Sequence, residues 1–143
     1  MNSNFDSFRI AMLIKEIYSK SMHVVDENLK NSGLTHQQII VIKLIAHKKE
    51  MTISDICEEM SLSKGTISGI VTRLEQYGYL EKVKYDDDRR NTYIRFSSEG
   101  MEFAKSFRAT IQESFDNIFK GCSEEELKEF VKVLRNISSK ING

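Results

Sequence analysis

Between Thr52 and Phe96 the spacing of apolar residues switches from helical to extended, and this switch constrains the fold more than any other feature of the chain. Ile67, Ile70, Val71 and Leu74 recur at steps of three and four. That spacing puts them on one face of a helix from about Lys64 to Tyr77. Gly78 stops the helix. Two short runs rich in β-branched and aromatic residues follow, Tyr79 to Tyr85 and Thr92 to Phe96. The charged stretch Asp86-Asp87-Asp88-Arg89-Arg90-Asn91 separates them, and the three pieces read as a hairpin with a polar loop. Ahead of the helix, Thr52-Ile53-Ser54-Asp55 caps a shorter one with Ile53, Ile56 and Met60 inside, and Ser61-Leu62-Ser63 is a tight break.

The flanks are helical. There is no proline in 143 residues. A first helix is expected from about Asp6 to Lys30, with Ile10, Leu13, Ile17, Val24 and Val25 as apolar positions and Gly33 beyond as a stop. Roughly 25 residues is long for a helix in a small monomer, so one end packs against something other than its own core. Thr35-His36-Gln37-Gln38 has the form of a capping box and opens a helix running to His47. Ser97 or Ser98 caps a helix to about Lys120, in which Phe103, Phe107, Ile111, Phe115 and Phe119 recur every four residues. After Gly121, Ser123-Glu124-Glu125-Glu126 caps a last helix carrying Leu127, Phe130, Leu134, Ile137 and Ile141. The fold class is mainly α (α+β). Two short helices with a tight turn, then a hairpin, are the plan of a winged helix-turn-helix over residues 34–97, flanked by helices in 1–33 and 98–143.

Bulk properties narrow the function classes. The length suits one compact domain with a core. No run of about twenty apolar residues exists, which predicts no membrane span. The start, Met1-Asn2-Ser3-Asn4-Phe5-Asp6, lacks a basic region followed by an apolar run, so no secretory signal is expected and the location expected is cytoplasmic. Cys57 and Cys122 follow no zinc or redox spacing, and His23, His36 and His47 are scattered, so neither a metal site nor a cofactor is expected. No Gly-rich phosphate loop, local Ser-His-Asp signature or His-x-x-x-His motif supports an enzyme.

A major groove admits one helix, which must be anchored on one side and exposed on the other. Opposite the apolar stripe lie Ser63, Lys64, Gly65, Thr66, Ser68, Gly69 and Thr72, with Arg73 at the edge. Each interior glycine gives up roughly 0.5–1 kcal/mol of helix propensity, a cost that points to a close partner. On the hairpin, Arg89 and Arg90 are long cations suited to a minor groove. Against this stands charge. The chain has net charge zero, and from Thr52 to Arg95 seven Lys and Arg face eight Asp and Glu, a net of minus one. A winged module that binds a protein partner and has little DNA affinity is therefore the alternative.

The residues from Leu62-Ser63-Lys64-Gly65-Thr66 through Arg73-Leu74-Glu75-Gln76-Tyr77-Gly78-Tyr79-Leu80 resemble the recognition helix and exit of the MarR family of regulators. Asp86-Asp87-Asp88-Arg89-Arg90 resembles that family's wing motif, and Phe96-Ser97-Ser98-Glu99-Gly100 its Leu-Thr-x-x-Gly. The resemblance covers nearly the whole chain. It implies a homodimer built by the terminal helices, binding double-stranded DNA at a pseudo-palindrome, commonly as a repressor. It implies that Asp88 orients the wing, often by pairing with a recognition-helix arginine, here Arg73, and that Arg89 enters the minor groove. It further implies a small aromatic or phenolic effector, for which Tyr18, Met22, His23, His47 and Arg73 are the candidate lining. The family's peroxide sensors carry a cysteine near the start of the first helix, and no cysteine precedes Cys57 here.

Overall fold

The computed structural model describes residues 6–141; the expectation drawn from Met1 to Phe5 lies outside the described residues. The elements in order are α1 (Ser7–Leu29), a 3-10 turn (Lys30–Ser32), α2 (His36–Lys48), β1 (Glu50–Thr52), α3 (Ile53–Met60), α4 (Lys64–Gln76), β2 (Leu80–Tyr85), β3 (Asp88–Phe96), α5 (Ser98–Ile118) and α6 (Glu124–Lys140). Side chains near the ends explain where the helices begin. Thr35 with Gln38, Thr52 with Asp55 and Ser123 with Glu126 form complete capping boxes. Ser97, not Ser98, caps α5 through its hydroxyl, which accepts from the Gly100 amide at 3.0 Å.

The exit of α4 is a Schellman turn. The Gly78 amide donates to the Glu75 carbonyl at 2.8 Å and the Tyr79 amide to the Leu74 carbonyl at 3.0 Å. Gly78 has φ +85°, which a residue with a Cβ enters only under strain.

Two features differ from the sequence expectation. The hairpin turn is only Asp86-Asp87, because β3 begins at Asp88, so Arg89 and Arg90 stand on a strand and not in a loop. A third strand, β1, pairs antiparallel with β3 in the register Glu50↔Arg95, Met51↔Ile94, Thr52↔Tyr93, giving the sheet order β1-β3-β2. Three residues show no period of their own; their extended form comes from the ladder that β3 offers.

One core runs through the chain. It gathers Met22, Val25 and Leu29 of α1, Ile39, Val41, Ile42 and Ile45 of α2, Ile56 of α3, Ile67, Val71 and Leu74 of α4, Ile94 and Phe96 of β3, and Ile111 of α5. The other half of α1 is different. Phe8, Leu13, Ile14 and Ile17 are exposed, Phe8 by 70%. Helix α6 buries no residue at all, and Val131, Val133, Leu134 and Ile137 lie open. An apolar cleft of about 750 Å³ lies between them, lined by Ile17, Phe119, Cys122, Leu127, Phe130 and Val133. Large apolar surface of this kind marks an interaction face.

Candidate nucleic-acid interface

Helix α4 has two faces, as its spacing predicts. Ile67, Val71 and Leu74 are fully buried. Ser63, Lys64, Gly65, Thr66, Gly69, Thr72 and Arg73 are exposed, and Ser68 is half-buried. The Ser63 hydroxyl accepts from the Thr66 amide at 3.3 Å and donates to the Thr66 hydroxyl at 2.9 Å, which fixes the start of the helix. A Cβ built on Gly65 or Gly69 would meet nothing within 4 Å. The fold itself therefore does not require glycine at either place, and the lost helix propensity is not offset inside the chain.

Beside α4 stands the hairpin, with β2 packed against the helix. Lys82 on β2 pairs with Glu75 on α4 at 3.3 Å. This ion pair, and not one between Asp88 and Arg73, joins wing to recognition helix. Asp88 instead accepts from the Tyr93 hydroxyl at 2.7 Å and from the Asn91 amide at 3.2 Å. The Asp88 carboxylate is engaged by donors on its own strand, and the pairing expected with Arg73 is not formed. Those two hydrogen bonds, the tyrosine's first, hold the Asp88 carboxyl below its ordinary range. The reciprocal effect pushes the Tyr93 phenol up. Tyr85 is also pushed up, by the hydrogen bond it donates to Glu50.

The charge balance reads differently once the pairs are placed. Asp55 is engaged by its cap, Glu75 by Lys82, Glu81 by Arg95 at 3.0 Å, Asp86 by Arg89 at 3.0 Å, and Asp88 by Tyr93 and Asn91. Glu58, Glu59 and Asp87 are left without such a partner among the described residues. On the cationic side Lys64, Arg73 and Arg90 make no ion pair among the described residues, and all three are exposed. Arg89 is held by an acid that is itself almost fully exposed, a tie weak enough to exchange for phosphate. A formal net near zero thus coexists with free cations on the helix and the wing.

The effector candidates do not converge in the single chain. Met22 belongs to the core, while Tyr18, His23 and His47 are exposed. None of the four lines the apolar cleft, or the small polar notch of about 180 Å³ formed by Asn28, Thr110, Glu113, Ser114 and Asn117. Among the described residues no group of three or more His, Cys, Asp or Glu is arranged to hold a metal. No helix there is long and apolar enough to cross a membrane.

Residues 34–92, which span α2 to the middle of β3, match the model of the MarR family. Those residues form a MarR-family domain. Members are transcription regulators and not enzymes, and this chain is a DNA-binding regulator that acts as a homodimer. It is 25% identical over 129 residues to the homoprotocatechuate degradative operon repressor of Escherichia coli, covering 90% of this chain and 86% of that protein. Its fold is similar to that of Bordetella bronchiseptica BpsR, solved to explain regulation of DNA binding by 6-hydroxynicotinic acid. That match has a TM-score of 0.79 at 18% identity, over 91% of this chain and 98% of the other. A cysteine-to-serine mutant of E. coli MarR in complex with operator DNA matches with a TM-score of 0.78 at 18% identity, over 93% and 99%. A homodimer needs a self-complementary face, and the open apolar surfaces of α1 and α6 are the ones this MarR-family chain offers.

Proposed function

We propose that this MarR-family homodimer represses transcription by seating α4 of each protomer in successive major grooves of a pseudo-palindromic operator. The observation that carries this reading is the outward face of α4: small polar residues, two unneeded glycines and the free cations Lys64 and Arg73. Ser63, Thr66, Ser68 and Thr72 supply donors and acceptors to phosphates and base edges, while Gly65 and Gly69 let the backbone close in. Arg89 and Arg90 reach the flanking minor groove from the wing. Two-fold symmetry sets the two helices about 34 Å apart, one turn of DNA. Residues 1–33 and 98–143 form the dimerising part and 34–97 the reading part.

The effector class this reading favours is a small hydroxylated aromatic acid. Support comes from two similar proteins: a relative that represses an aromatic-degradation operon and a structural neighbour regulated by a hydroxylated pyridine acid. Such a ligand acts by preferring one spacing of the two heads over the other. Of the candidate lining, Tyr18, His23, His47 and Arg73 are available to it, and Met22 is not.

The test is fluorescence anisotropy with duplex fragments of the source genome, including the DNA upstream of the chain's own gene, under excess competitor and across a salt series. Tight binding to a short inverted repeat is the expected result. Each phosphate contact removed by substitution lowers the salt slope by about 0.9. Weak binding that ignores sequence in every fragment would refute operator recognition and favour the protein-partner alternative.

A further inference from the structure

The wing is supported unevenly. Strand β1 covers β3 only at Tyr93, Ile94 and Arg95, so from Tyr85 through Asn91 the hairpin is two-stranded. A register irregularity between Val83 and Tyr85 loosens that part further. A two-stranded ribbon is marginal in water by itself, yet this one carries Arg89 and Arg90. Two phenols cross from the weak part to the strong one. Tyr93 stands where the sheet is three strands wide, opposite Thr52 on β1 and Val83 on β2, and its hydroxyl holds Asp88, the first residue after the turn. Tyr85 stands at the far end of β2, and its hydroxyl holds Glu50 on β1. Their rings also meet, centroids 5.5 Å apart at 55°.

We infer that Tyr93 and Tyr85 are positioning residues for DNA binding, whose bonds to Asp88 and Glu50 tie the wing tip to the three-stranded base of the sheet and so present Arg89. Hydrogen bonds to a carboxylate are charge-assisted and directional, and an aromatic side chain has few rotamers to lose. These ties add to the Lys82–Glu75 pair that joins the wing to the recognition helix, and neither of them engages Arg73. The inference rests on the proposed role of the wing arginines, and the test separates the two.

The measurement is DNA affinity of the full-length dimer for the duplex that wild-type protein enriches from a randomised pool. Tyr93→Phe keeps the ring and removes only the hydroxyl. It is measured alone and in an Arg89→Ala background, with circular dichroism to show an unchanged fold. Tyr93→Phe is expected to weaken binding about fivefold when Arg89 is present and to have no further effect when Arg89 is absent. Tyr85→Phe is expected to behave likewise. If Tyr93→Phe binds as wild type while Arg89→Ala is weakened, the positioning role is overturned and the wing contact stands. An equal loss in both backgrounds also overturns it, since the hydroxyl then acts on something other than Arg89. If Arg89→Ala itself binds as wild type, the wing contact fails and the inference goes with it.

Discussion

Gly100→Ala is the substitution whose effect follows most directly from the geometry. Gly100 lies in the first turn of α5, where the helix crosses the chain leaving the Gly78 turn. A Cβ there would sit 1.8 Å from the Tyr79 carbonyl oxygen, 2.8 Å from its carbon and 3.1 Å from its Cα. Ordinary contact begins near 3.4 Å. The obstacle is backbone, which cannot swing aside as a side chain would. The start of α5 must therefore move by roughly 1.6 Å, well over the tolerance of a packed interior. That shift breaks the bond from the Ser97 amide to the Tyr79 carbonyl, 3.0 Å long, and disturbs the Ser97 hydroxyl on the Gly78 carbonyl. Overpacking costs about 1–3 kcal/mol and a lost hydrogen bond about 0.5–1.5 kcal/mol. Alanine returns about 1 kcal/mol of helix propensity. The net is a destabilisation of about 2 kcal/mol, or a melting point lower by about 4–8 °C. The assay is thermal and urea unfolding at one fixed protomer concentration, because a dimer's midpoint depends on it. An unchanged midpoint in Gly100→Ala would refute the close-approach argument.

Gly69→Ala is the counterpart in open space. It should raise stability by about 0.5–1 kcal/mol in the same unfolding assay and weaken operator binding by anisotropy; gain of stability without loss of affinity would remove the reason given for the glycine. Truncation after Gly121 deletes α6, none of whose side chains is buried within the chain, so the remainder should stay folded while sedimentation shows monomers and specific DNA binding disappears. A monodisperse truncated dimer with normal affinity would sink the interface assignment. The Asp88 carboxyl should titrate below 3.8 by carbon NMR, and Tyr93→Phe should return it toward that value. The sign follows from the depression: the tie is in place above the ordinary carboxylate range and is lost as pH falls through the lowered value. At the other end the hydrogen bond to Asp88 pushes the Tyr93 phenol up, so the same tie is lost as pH rises through that raised value.

What could be read in the sequence and what could not divides along a physical line. Helix positions, caps and inward faces are local properties, set by spacing and by side chains within three or four residues. The stripe Ile67, Ile70, Val71, Leu74 gave the orientation of α4, and the capping boxes at Thr35, Thr52 and Ser123 marked true helix starts. The surplus apolar length of α1 likewise pointed to surface that its own core does not cover, and its first half is exposed in the single chain. Strand β1 was not legible, because Glu50-Met51-Thr52 becomes a strand only when β3 arrives beside it. The true extent of the wing, with Arg89 and Arg90 on β3, depended on the same ladder. Partner choice among charged groups was the least legible of all. Asp88 has several donors within reach, and its sequence neighbourhood does not rank them. Only the tertiary arrangement brings the Tyr93 hydroxyl to the carboxylate, leaves Arg73 free, and gives the link between wing and recognition helix to Glu75 and Lys82. Sequence determined which faces this chain would bury and expose; the packed structure decided which polar groups would meet, because hydrogen bonds and ion pairs depend on ångström-scale separations that residue spacing does not encode.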